Sequence, residues 1–77
     1  MNYTVATARE IHAGFEADID NQNTVSIRMF DPEDEFTILK RASKKYETRK
    51  EANEAFMQIS ICILEGTYSF DDRAAML

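Results

Sequence analysis

The sequence predicts an α+β fold in which a small antiparallel sheet, built on a central hairpin over 24–40, is packed by helices over 8–19 and 49–65. Three patterns carry that expectation. Apolar and polar residues alternate from Thr24 to Phe30, turn chemistry comes at once in Asp31-Pro32-Glu33-Asp34, and an amphipathic stretch with its own start and stop signals runs from Thr48 to Gly66. The expected order is (β)αββα(β), with optional first and last strands, in a single domain over 1–77. An all-α bundle is the alternative.

At the start of the chain, Tyr3 and Val5 alternate with polar neighbours and permit a short strand. Thr7 and Glu10 have the spacing of a capping box, and Ala8, Ile11, Phe15 and Ile19 come after them at helical intervals, which gives the helix over 8–19. Gly14 weakens that helix by roughly 1 kcal/mol relative to Ala. The competing reading takes Phe15, Ala17 and Ile19 as one side of a strand that turns at Asn21-Gln22-Asn23. In the central hairpin Val25, Ile27 and Met29 share one face, Ser26 and Arg28 the other, and Phe36 and Ile38 resume the alternation. Its second half has a helical rival, with Asp31 as N-cap, Pro32 at the first helical position and bases toward the end.

Thr48 with Glu51 forms the clearest capping box, and Gly66 supplies a left-handed stop. Ala52, Ala55, Phe56, Ile59, Cys62 and Ile63 gather on one stripe, the spacing of a helix buried against other elements. Met57, Ile61 and Leu64 fall on roughly the opposite side, so this helix needs a second cover, either the chain's own terminal segments or another molecule. Ile59, Ile61 and Ile63 also alternate as in a strand, but the capping box and the lack of Gly or Pro before Gly66 favour helix. Beyond Gly66, Thr67 to Phe70 reads as a closing strand or a loop, and Ser69 with Asp72 as the start of a short helix.

With 77 residues, 44% hydrophobic and 30% charged, the composition is that of one folded domain. A chain this short buries only about 60% of its unfolded surface, and association is one remedy. The single Cys62 permits no internal disulfide and reads as a packed thiol in a reducing compartment. Met1 to Val5 lacks the basic and apolar regions of a leader, and no apolar run approaches the ~18 residues of a membrane span. The expectation is a soluble cytoplasmic protein that does not engage the membrane.

Catalytic chemistry is poorly supplied. His12 is the one histidine, Gly14 and Gly66 are the two glycines, and His12 and Cys62 have no ligand spacing. That leaves no nucleophile system, phosphate loop or zinc motif. The acids after Phe30 fit no calcium-loop spacing. The expected protein is therefore not an enzyme and has no catalytic, cofactor or metal residues.

Charge is segregated along the chain. Seven acids from Glu16 to Glu35 stand against Arg28, while six bases from Lys40 to Lys50 stand against Glu47. Such fields either neutralise each other within the monomer or orient a partner. If the acids face outward, Asp18, Asp20, Asp31, Glu33, Asp34 and Glu35 form an anionic surface for a protein partner. If the bases do, Lys40, Arg41, Lys44, Lys45, Tyr46, Arg49 and Lys50 offer contacts to nucleic acid, which the net charge of −5 disfavours. The strand, Tyr46 and the capped helix start Thr48-Arg49-Lys50-Glu51-Ala52 resemble, over about a dozen residues, the strand-to-helix step of sheet-type DNA-binding domains such as the arm-binding domains of phage integrases. The leading expectation is a non-enzymatic acidic protein-binding module, homodimeric through Met57, Ile61 and Leu64. It would act as a regulator or inhibitor of a larger complex, of the phage or mobile-element type. A nucleic-acid-binding accessory protein is the alternative.

Overall fold

The computed structural model describes residues 1–10, 14–34, 36–65 and 69–77, with backbone alone at 64 and 65. Its elements are β1 (Thr4–Glu10), β2 (Phe15–Asp20), β3 (Thr24–Phe30), β4 (Ile38–Lys45), α1 (Arg49–Glu65) and α2 (Phe70–Ala74). The strands form one antiparallel sheet in chain order, β1-β2-β3-β4. This is an α+β fold, and the all-α alternative falls.

The helix expected over 8–19 is corrected: residues 8–10 close β1 and 15–19 belong to β2, while 11–13 lie outside the described residues. Gly14 makes the turn: its φ is 69°, its N–H donates to the Glu10 carbonyl at 3.1 Å, and its own carbonyl accepts from the Phe30 N–H at 2.7 Å. Period two wins here because pairing serves both faces of the strand. Phe15, Ala17 and Ile19 are buried on one side, with Ala17 opposite Ile27 and Ile19 opposite Val25. Glu16 and Asp18 line up on the other, where Arg28 bonds both. A helix would scatter those acids around its circumference.

The next turn is built by its acids and amides. Asp20 accepts from the backbone N–H groups of Gln22 and Thr24 at 2.8 and 3.0 Å, and Asn23 takes a positive φ of 63°. The central hairpin stands, but its second strand lies at Ile38–Lys45 and outruns the expected end at Lys40. The helical rival for that stretch falls with it. Between β3 and β4, Asp31 accepts from the Glu33 N–H, while Asp34 accepts from the Phe36 N–H and the Thr37 hydroxyl.

α1 has the expected bounds, so the strand reading of its second half is also set aside. The Glu51 N–H donates to Thr48 Oγ1 at 3.2 Å, and the Thr48 hydroxyl in turn donates to the Glu51 carboxylate at 3.3 Å. The optional last strand is replaced at Phe70 by α2, where Ser69 and Asp72 complete a reciprocal capping box. Gly66, Thr67 and Tyr68 lie outside the described residues.

Both helices cover the same face of the sheet, α1 chiefly over β1 and β2, α2 over β3 and β4. Ala52, Ile59 and Ile63 of α1 and Phe70 of α2 close a core with Phe15, Ala17, Ile19, Val25 and Ile27. Cys62 is a buried thiol directed at the Met76 sulfur 3.3 Å away. Arg73 is the buried charge of this layer, 1% exposed. Its guanidinium lies 3.8 Å from the centre of the Phe15 ring, and Nη2 reaches Glu10 at 3.4 Å.

Candidate interaction surfaces

The outer side of α1 is polar over its first turns and then exposes two large apolar side chains. Met57 is 63% exposed and Ile61 46%, one helical turn apart, while Ile59 and Ile63 are sealed beneath them. The chain's C-terminal segment packs elsewhere: Met76 and Leu77 lie against the core. Thus the described residues give Met57 and Ile61 no internal cover. The Leu64 side chain lies outside them.

The anionic surface is largely turn architecture. Asp20, Asp31 and Asp34 accept backbone hydrogen bonds at the two turns, and Asp18 is bound by Arg28. Glu33 is exposed, and Glu35 lies outside the described residues. The Thr37 hydroxyl, aided by the Phe36 N–H, holds the Asp34 carboxyl below its ordinary pKa. Among the six candidate acids, then, four are engaged by their own chain, which reduces what they offer a partner.

The basic stretch is divided by the pleat of β4. Opposite Met29 and Val25, Lys40 and Lys44 belong to the helix-covered side, where their ammonium groups lie 5.8 Å from the Phe70 ring centre and 5.0 Å from that of Tyr46. Arg41 and Lys45 belong to the uncovered side, opposite Arg28 and Thr24. Tyr46 packs partly against the core, and burial, then the charge of Glu51, raises its pKa. Arg49 is half-buried at the start of α1, whereas Lys50 is exposed. The six bases and Tyr46 therefore do not present one continuous surface.

The uncovered sheet face holds a constellation that no local sequence pattern assembles. Register sets Arg9, Glu16, Arg28 and Arg41 in one row across the strands, and Thr7, Asp18, Ser26 and Ser43 in the next. Glu16 is shared by Arg9 and Arg28, and Arg28 also bonds Asp18. Partial burial works against the Arg28 charge, yet the two carboxylates outweigh it and raise its pKa. Between β3 and β4, Ser26, Arg28, Arg41 and Ser43 line a shallow depression of about 380 Å³. The sequence signal was the polar side of Thr24–Phe30, but its neighbours depend on register across the 31–37 loop.

Among the described residues no group of three or more His, Cys, Asp or Glu side chains is placed to hold a metal ion, and no helix is long and apolar enough to cross a membrane. His12 lies outside those residues. No protein-family model, curated protein or solved structure matches this chain.

Proposed function

We propose that the protein is a non-enzymatic protein-binding module that associates through the outer face of α1, with a second copy of the chain as the partner that completes it. The observation that supports this reading is the pair Met57 and Ile61, exposed one turn apart on a helix whose opposite face already fills the core. A two-fold contact sets such a patch against itself and adds burial to a chain whose core is small. A regulator or inhibitor of a larger complex, carried by a phage or mobile element, is the role that suits the size and acidity. The buried thiol of Cys62 suits a reducing, cytoplasmic setting.

The alternative, contact with nucleic acid through the basic stretch, is weakened by the division of its bases between two sides of β4. Light scattering across a concentration series tests the leading reading. Wild-type protein should have dimer mass, and Ile61→Asp should be a monomer with the wild-type circular dichroism spectrum. A wild-type monomer at all concentrations, or an Ile61→Asp variant that retains dimer mass, would overturn it.

A further inference from the structure

The uncovered half of the sheet between β3 and β4 lies on the side opposite α1, so a site there is independent of association through that helix. Arg28 stands directly across from Arg41, and Ser26 directly across from Ser43. Like charges facing each other across a strand pair repel. On the β2 side the repulsion is answered, because Glu16 and Asp18 both take hydrogen bonds from Nη2 of Arg28. Nothing answers it at Arg41: the ion pairs among the described residues involve Arg9, Arg28 and Arg73, and none includes Arg41.

The consequence is a fixed cation beside an uncompensated one, with two hydroxyls in the adjoining row and a depression between them. Arg28 is oriented by its two carboxylates, both of which bond Nη2, and no hydrogen bond among the described residues engages its other N–H donors. Arg41 supplies the surplus charge. Serine hydroxyls add donors of the kind that bind phosphate oxygens. From this geometry we infer a binding site for one phosphate-class oxyanion, held by Arg41, Ser43 and Ser26, with Arg28 as the positioned second cation. Glu16 and Asp18 cancel much of the Arg28 charge, so the site favours a singly charged group, a phosphodiester or monoanionic phosphate, over a dianion.

The test is a nitrogen-15 NMR titration of the full chain, with inorganic phosphate at constant ionic strength in one arm and a short single-stranded oligonucleotide in the other. Saturating shifts at the amides of Ser26, Arg28, Arg41 and Ser43 are expected. Arg41→Gln should weaken that binding about tenfold or more, as loss of a hydrogen bond to a charged group implies. Lys44→Gln, on the other side of the same strand, should leave it unchanged. Saturation by phosphate alone identifies a free anion as the ligand, and saturation by the oligonucleotide at lower concentration identifies a backbone diester. If neither probe saturates these amides, or if Lys44→Gln weakens binding as much as Arg41→Gln, there is no site.

Discussion

Arg73 combines two roles that are usually kept apart. It fills core volume against Phe15, and it carries a charge whose one carboxylate partner among the described residues, Glu10, lies at 3.4 Å. Among those residues its Nε and Nη1 find no acceptor, which is a desolvation cost. A buried ion pair is often no better than a well-packed apolar side chain of similar volume. Arg73→Met should therefore unfold in urea within about 1 kcal/mol of wild type, whereas Arg73→Ala, which also loses the packing on Phe15, should cost about 3 kcal/mol. Equal losses in the two variants would make the charge, and not the volume, the source of stability.

At the scale of elements, the β1–β2 turn depends on Gly14. Its φ of 69° is one that side chains adopt at a cost, and a Cβ there would meet the Phe30 carbonyl oxygen at 3.0 Å. Gly14→Ala should lower stability by more than about 1 kcal/mol, read from its thermal midpoint; an unchanged midpoint would show that the turn can be remade. The same glycine explains what the sequence concealed. The bounds of α1 were legible because Thr48 and Glu51 are a local signal, and β3 because its alternation is strict and ends in a turn. β2 was not, because Phe15 and Ile19 suit a helix as well as a strand, and what decides between them is pairing with Val25 and Ile27, partners that lie on another strand. The candidate surfaces divide in the same way. Met57 and Ile61 came from angular spacing within one helix, whereas the Arg28–Arg41 and Ser26–Ser43 pairs required a register that residues 31–37 do not announce.

In the whole molecule the sheet is roofed in two parts, and the smaller part is the C-terminal segment. Phe70 stacks on Phe15 with ring centres 6.5 Å apart, and Met76 and Leu77 extend the same cover. Burying one phenylalanine contributes roughly 1.5–3 kcal/mol, a large fraction of what a domain this small has to spare. Removal of residues 69–77 should leave a chain that binds a hydrophobic dye and loses its sharp urea transition. A truncated chain that still unfolds cooperatively near the wild-type midpoint would mean that α1 alone secures the fold.

Each strand pairs with the one before it in the chain, so every step of sheet assembly closes only a short loop. Short loops cost little closure entropy, and topologies made of near-neighbour contacts fold faster than those that must first join distant segments. The meander can thus form by successive addition of strands, with no long search between its ends. The contact from Arg73 back to Glu10 spans most of the chain, so of the steps described it is the one that closes the longest loop and costs the most closure entropy.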